Sequence, residues 1–276
     1  MGIRTDLAAE AHSLWRQSAG KTTKLSGVIA RQEEENGIAL ETVEITSAEG
    51  AKALGKPVGR YLTLNLPEDG RANEAFTALL AKKLSMLLQW KDTDSVLVVG
   101  LGNRAMTPDA IGPMTADGVL VTRHLRQSLP QFFAGMRSVS ALRPGVLGMT
   151  GVESAEVVRS VVERIQPDRV IVVDALAAGS PARLCRSVQL TDVGIVPGSG
   201  VGNSRAAFSP ESLGVPVVAV GVPTVVDAAE KGQAPLLVTP RDIDVQARRL
   251  SRAIFTGING ALFPGWSAEE IAQFVE

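Results

Sequence analysis

Cysteine occurs once in the 276 residues, at Cys185, and histidine twice, at His12 and His124. A single thiol excludes an internal disulfide and a thiolate-bound metal cluster. Arg183 and Arg186 flank it, but a lone buried thiol is the better reading than a reactive one. Two histidines leave little for a hydrolytic triad, and His124 falls in an apolar helical pattern, where packing or surface roles dominate. No apolar run reaches the roughly 18 residues that cross a bilayer, and no secretory signal is expected. Lys and Arg number 28 against 29 Asp and Glu, for a formal net charge of -1. That balance gives no sustained attraction to nucleic acid or an anionic membrane. Gly2 fits a myristoylation signal, but Asp6 stands where that signal needs Ser or Thr. These absences point to a soluble, intracellular chain whose chemistry comes from carboxylates, hydroxyls or backbone groups.

What is present reads as one large α/β domain. Hydrophobic residues make up 45% of the chain, with 27 Gly and 15 Pro. The run Val96-Leu97-Val98-Val99 is wholly apolar, as in a strand buried on both faces of a parallel sheet. It stops at Gly100-Leu101-Gly102-Asn103, and Pro108 and Pro113 then bracket Asp109. A second run, Arg169 to Val173, leads directly into Asp174-Ala175-Leu176. A third, Val215 to Val220, precedes Gly221-Val222-Pro223-Thr224-Val225-Val226-Asp227. Glu41 to Thr46 and Arg60 to Leu66 alternate polar and apolar residues, as half-exposed strands do. Gln32 to Gly37 reads as a charged, solvated turn.

Helical spacing is clear in Ala72 to Gln89, through Phe76, Leu79, Leu80, Leu84, Leu87 and Leu88. It recurs in Glu153 to Ile165 and in Arg241 to Asn259. A helix is also expected to run from Pro113 through Val119, Leu120, His124 and Leu125. Thr5 or Asp6 is placed to cap a short first helix, and Ser267 to Glu270 forms a capping box for the last. Ser187 to Leu190 is a further strand, ahead of the loop Gly194 to Asn203. The alternation argues for a three-layer, mainly parallel, doubly wound sheet, with ligands at the strands' C-terminal edge.

Several motif fragments fail on inspection. Gly20-Lys21-Thr22 lacks the first P-loop glycine, since Trp15 holds that place. Gly50 to Lys56 has both glycines, but Pro57 replaces the magnesium-binding Ser or Thr. Gly100-Leu101-Gly102 is half a dinucleotide fingerprint, with Ala105 at the last glycine. Ser199 lies in Gly198-Ser199-Gly200, which is not the frame of a nucleophile elbow. The carboxylates remain. One Asp after a strand is usually a cap or turn former, but several at successive strand ends form a constellation. Two acids held close cannot both ionise cheaply, so one keeps a proton while the other activates water. Such a pair can equally hold a divalent cation through oxygen ligands.

Taken together, Arg4-Thr5-Asp6-Leu7-Ala8, Gly100-Leu101-Gly102-Asn103, Thr107-Pro108-Asp109-Ala110, Val121-Thr122-Arg123-His124-Leu125, Val173-Asp174-Ala175-Leu176, Pro197 to Asn203 and Gly221 to Asp227 resemble the germination proteases of endospore-forming bacteria. The resemblance runs from about residue 3 to about 260. It implies an endopeptidase, made as a self-processing zymogen and working as a homotetramer, that degrades small acid-soluble spore proteins in the forespore or spore core. It implies a fold similar to hydrogenase maturation proteases, and no cofactor, metal, membrane or direct nucleic-acid partner. Its two critical aspartates fall on Asp109 and Asp174. Asp192, Asp227, His124, Asn103, Gly198, Ser199 and Gly200 are secondary candidates for orienting the pair, binding substrate or, through the loop's N–H groups, stabilising an oxyanion.

The family cuts after an acidic residue followed by a hydrophobic residue and Ala. Asp6-Leu7-Ala8 therefore marks residues 1–6 as a propeptide and 7–276 as the catalytic domain. The chain departs from the family in one place: only Ala229 to Leu237 separates Ala228 from Val238-Thr239-Pro240, where members carry a sizeable insertion that bears on tetramer contacts. Two rivals remain at this stage. One is a nickel-probing maturation protease with Asp109, Asp174 and His124 around the metal of its partner. The other is a non-catalytic module that binds a small anion on its glycine-rich loops.

Overall fold

The computed structural model describes residues 5–19, 24–202, 205–229 and 236–275, and of residues 268, 272 and 275 the backbone alone. The Gly20-Lys21-Thr22 fragment, the first four residues of the expected propeptide, Asn203 and residues 230–235 of the short link lie outside these. The strands are β1 (Val28–Glu35), β2 (Ile38–Ile45), β3 (Gly59–Asn65), β4 (Val96–Gly100), β5 (Val139–Leu142), β6 (Arg169–Ala178), β7 (Ser187–Thr191), β8 (Val217–Asp227) and β9 (Leu237–Val238). The helices are α1 (Ala8–Ala19), α2 (Ala48–Leu54), α3 (Glu74–Leu88), α4 (Ile111–Asp117), α5 (Arg123–Ser128), α6 (Pro130–Phe133), α7 (Leu147–Thr150), α8 (Ser154–Ile165), α9 (Pro210–Leu213), α10 (Ile243–Leu262) and α11 (Ala268–Val275).

Among the described residues one sheet runs in the order β1-β2-β3-β7-β8-β6-β4-β5, with β9 on β8. The block β5, β4, β6, β8 is parallel, as its unbroken apolar runs require. The strands beyond β8 are joined antiparallel, and β2 and β3 carry the alternation that such strands show. Helices cover both faces, completing the expected three-layer α/β class. Phe76, Leu80, Leu84, Ile111, Ile254 and Ile258 of α3, α4 and α10 pack on Val98, Ile171 and Val220. On the opposite face Val158 and Val162 of α8 pack on Leu97, Val99 and Val172. The six apolar positions expected along α3 are all buried.

Four expectations are corrected. The acidic stretch from Gln32 is not a solvated loop but belongs to β1, paired over its whole length with β2. Only Asn36 and Gly37 turn, both at positive φ, the backbone a tight hairpin needs. An edge strand tolerates this charge because its outer groups face water. The helix expected through Val119 and His124 is two: α4 ends at Gly118, whose open Cβ position is filled by the ring of Phe255. Neither β6 nor β8 stops at its expected boundary. They continue side by side to Ala178 and Asp227, with a register shift at Leu176 and Ala177. Finally, Asp6 does not cap α1. Its carboxylate turns away to β6, while Thr5 Oγ1 accepts the Leu7 N–H at 3.0 Å.

Candidate active site

The site starts from glycines that let a helix press on a strand end. A Cβ on Gly100 would overlap the Gly112 carbonyl, and one on Gly112 would overlap the Leu101 carbonyl. Gly100 and Gly112 therefore serve close packing of α4 on β4. Gly102, at φ +111, passes so close to Asp109 that a Cβ would overlap its carbonyl oxygen. Thr107 to Asp109 form a single 3-10 turn with Pro108 near its start. Within it Asp109 Oδ2 accepts the Asn103 N–H at 2.7 Å. Asn103 Oδ1 accepts the Ala105 N–H at 2.9 Å, which fixes the loop that carries this donor. Asn103 thus meets Asp109 through its backbone.

Asp174 lies inside β6 at the level where β4 ends, since Gly100 pairs with Val173. It is 4% exposed, and Oδ1 accepts the N–H of Ala175 at 2.9 Å. Burial raises its pKa well above the ordinary carboxylate value, and the charges of Asp109 and Asp6 raise it further, against the pull of that N–H. Burial also raises Asp109, against the Asn103 N–H. Asp109 is half-buried. Two carboxyls at one strand edge, one closed off and one partly open, form a pair in which the closed member holds its proton longer.

Across the sheet, Asp174 is in register with Gly221 of β8, and Gly221 with Gln189 of β7. Paired neighbours point to the same face. On this face lies the N-terminal segment. Asp6 N–H donates to Ala177 O at 2.9 Å, and Asp6 Oδ2 accepts the Ala177 N–H at 2.9 Å. Asp6 Oδ1 accepts the Ser199 hydroxyl at 2.6 Å. Lys56 Nζ donates to the carbonyl of Thr5 at 2.9 Å. Burial lowers the Lys56 pKa, and the charge of Asp6 opposes that. Leu7 is fully buried beside Leu176, Ala178, Leu184 and Ile195. Gln189 accepts the Ala8 N–H through Oε1 at 2.8 Å and donates from Nε2 to Asp6 O at 3.2 Å. Glu10 Oε2 accepts the Gly179 N–H at 2.7 Å and anchors the start of α1 to the end of β6. A cleft of about 1170 Å³ continues from this segment past Lys56, Gln189, Leu176, Gly221 and Trp15. Asp6 lies in its wall, and neither Asp109 nor Asp174 does.

The other candidates separate. Ser199 and Gly200 meet the segment: a Cβ on Gly200 would overlap the Asp6 carboxylate. The amides of Ser199, Val201 and Gly202 are used inside the loop, on Val196, Gly198 and Ser199, so the loop reaches the segment through a hydroxyl. Gly198 supplies a left-handed turn at φ 73. Asp192 is paired with Arg60, whose backbone N–H and Nε both donate to it at 2.8 Å. Asp227 is six residues beyond Gly221, about 20 Å along the strand. There it accepts the N–H groups of Ala229 and Leu236 and closes the turn to β9. His124 is exposed on α5, which is tied to the start of β5 by Thr122 N–H on Val139 O. That is the opposite edge of the parallel block from the aspartates. Among the described residues, no three His, Cys, Asp or Glu side chains gather as a metal site. No described helix is long and apolar enough to cross a membrane. Burial pushes the Cys185 thiol up to about 12, as expected for an inert residue.

Sequence reasoning missed Lys56, Gln189 and Glu10. Lys56 carried a signal only as part of a failed phosphate loop, and Gln189 none, as one polar residue of a strand that alternates polar and apolar.

Comparison with known proteins follows the same lines. The chain is 41% identical over 324 residues to a germination protease of Caldanaerobacter subterraneus subsp. tengcongensis, covering all of this chain and 98% of that one. An aligned span of 324 for a chain of 276 means that the relative carries residues absent here. A germination protease of Priestia megaterium is 46% identical over 237 residues, 82% of this chain and 64% of that one. A solved NiFe hydrogenase maturation protease from Thermococcus kodakarensis covers 64% of this chain and 98% of its own, at 19% identity and a TM-score of 0.38. The profile of the germination protease family matches residues 8–235. With this match and these relatives, the chain belongs to the germination protease family and is a peptidase.

Proposed function

We propose that the chain is a self-processing endopeptidase that cuts after acidic residues with Asp109 and Asp174 on a water molecule. Its substrates are small acid-soluble spore proteins, degraded in the spore core as germination begins. The observation that carries this reading is the pair itself: Asp174 is buried in β6 at the level where β4 ends, Asp109 is held just past that end, and its charge adds to the rise in the Asp174 pKa. Asp174 is then the acid and Asp109 the base. Asp109 takes a proton from water as the oxygen adds to the peptide carbonyl carbon. Asp174 gives its proton to the leaving nitrogen as the carbon–nitrogen bond breaks. No metal or cofactor enters these steps.

Residues 1–6 act as the propeptide of the catalytic unit 7–276, and Asp6–Leu7 is the bond removed. What supports this is the way Asp6 is held: its carboxylate takes both the Ser199 hydroxyl and the Ala177 N–H, and Leu7 fills an apolar recess. Those contacts suit an acidic side chain before the cut and a hydrophobic one after it. A segment so placed occupies the position of a substrate, and acid favours the form in which one carboxyl of the pair holds a proton, which starts the cut. The working form is a homotetramer.

The test is cleavage of a purified small acid-soluble spore protein by processed protein, beside Asp109→Asn and Asp174→Asn, with and without EDTA. Cutting after acidic residues that resists EDTA and disappears in both variants is the expected result. Cutting that persists in either variant names the wrong pair, and loss with EDTA moves the reaction to a metal. Self-processing is read by intact mass at mildly acidic pH, where the loss of six residues is expected; a cut elsewhere, or none, counts against it.

A further inference from the structure

A paired-aspartate mechanism gives no role to Gln189, yet both ends of its side-chain amide are occupied by the N-terminal segment. It is 5% exposed, on a strand otherwise lined by the core. Nε2 donates to the carbonyl oxygen of Asp6, the oxygen of the bond assigned above as the one cut. Oε1 accepts the N–H of Ala8, which belongs to the next peptide bond. The amide therefore grips the main chain on both sides of Leu7 as a neighbouring strand would. Both contacts are to backbone, so they are open to a substrate of any sequence.

The position in the sheet aligns this grip with Asp174. Asp174, Gly221 and Gln189 form one row across β6, β8 and β7. The row spans two strand spacings, about 10 Å, and its middle member has no side chain. A Cβ on Gly221 would run into Leu176, the residue beside Leu7. Gly221 thus leaves room for the Leu176 side chain to lie between the carboxyl at one end of the row and the amide at the other.

We infer that Gln189 is a third catalytic residue, which holds the carbonyl oxygen of the bond to be cut while its own oxygen fixes the following peptide. The inference rests on the reading of Asp6–Leu7 as a substrate bond. When water adds to the carbonyl carbon, the electron pair of the C=O bond moves onto the oxygen. The Nε2–H hydrogen bond then becomes charge-assisted and strengthens, as transition-state stabilisation requires. The pair returns as the carbon–nitrogen bond breaks and Asp174 protonates the nitrogen.

The test is the first-order rate of self-cleavage of the full chain at Asp6–Leu7, followed by intact mass over a pH series. The variants are Gln189→Met and Gln189→Glu, with folding of each followed by circular dichroism and Tm. Gln189→Met keeps the size and loses both hydrogen-bonding ends; it is expected to cut roughly a hundredfold more slowly at every pH. Gln189→Glu keeps an acceptor, and when protonated it regains an O–H donor. Its deficit against the unmodified chain is expected to shrink as pH falls, while that of Gln189→Met stays constant. A residue that only supports the fold would give both variants deficits that follow Tm and not pH. A Gln189→Met rate within about twofold of the unmodified chain, or a Gln189→Glu deficit flat with pH, overturns the assignment and leaves the aspartate pair standing. An unmodified chain that never cuts at Asp6–Leu7 overturns the substrate reading of the segment, and Gln189 with it.

Discussion

Asp109 and Asp174 stand at the ends of one parallel block, yet they differ in surroundings: the charge of Asp109 raises the pKa of Asp174, which is almost wholly enclosed. Asp109 is half-buried and steadied by one backbone N–H from Asn103. The proposed division of roles follows from that difference, since the enclosed acid is the one that holds its proton to higher pH.

Replacing either carboxyl by its amide keeps the shape and removes the proton transfer. Asp109→Asn and Asp174→Asn are each expected to slow self-cleavage by on the order of a thousandfold. Measured together, the double variant is expected to lose no more than the worse single one, because the pair acts as a unit.

Asp174 should cost the fold stability that Asp174→Asn recovers. Its folded pKa lies above the unfolded value, so the folded state holds more protons between the two. Stability from this group is therefore complete below the ordinary carboxylate value and falls as pH rises toward the raised one. At pH 7 the Asn variant is expected to melt higher, by roughly 2–4 °C for each kcal/mol recovered. The gain should vanish as pH falls through the carboxylate range, which thermal melts at stepped pH will show. A variant that melts lower at pH 7 contradicts the raised pKa.

On the proposed reading, Ser199 and Lys56 recognise the acid before the cut. Asp6→Asn removes the charge that Ser199, the Ala177 N–H and Lys56 receive. It is expected to slow self-cleavage roughly tenfold, the scale of a charged hydrogen bond. In a Ser199→Ala, Lys56→Met background the same change should cost much less, since neighbours that share a partner do not add. Equal losses in both backgrounds rule the assignment out.

Gly100→Ala drives a methyl into the Gly112 carbonyl. Overpacking of this kind costs about 1–3 kcal/mol, to be read as a lower midpoint in urea with an unchanged slope. Gly102→Ala strains a positive φ and presses on Asp109, so it is expected to lose activity beyond what its stability explains.

His124→Ala and Asp227→Asn are expected to leave the cleavage rate within about twofold. The first side chain is exposed at the far edge of the block, and the second closes a turn some 20 Å along β8. Loss of activity in either returns it to the site.

The sequence by itself determined the strand that precedes Asp109, the strand that carries Asp174 and the helices that cover them, because apolar runs and helical spacing are local signals. It determined the capping box at Ser267, where Glu270 and Ser267 exchange hydrogen bonds. It also marked Asp6-Leu7-Ala8 as distinct from the rest of the amino-terminal region. What only the tertiary structure decided is which strand ends share a level. Asp227 had the same signature as Asp174, an acid after an apolar run, until the paired extension of β6 and β8 carried it away from the site. The same holds for Asp192, claimed by Arg60 across 132 positions of chain. Lys56 and Gln189 reach the N-terminal segment from β-sheet and loop positions far apart in sequence. Nothing within a window of local sequence can encode that meeting, because it is set by strand order, register and the face to which each side chain points.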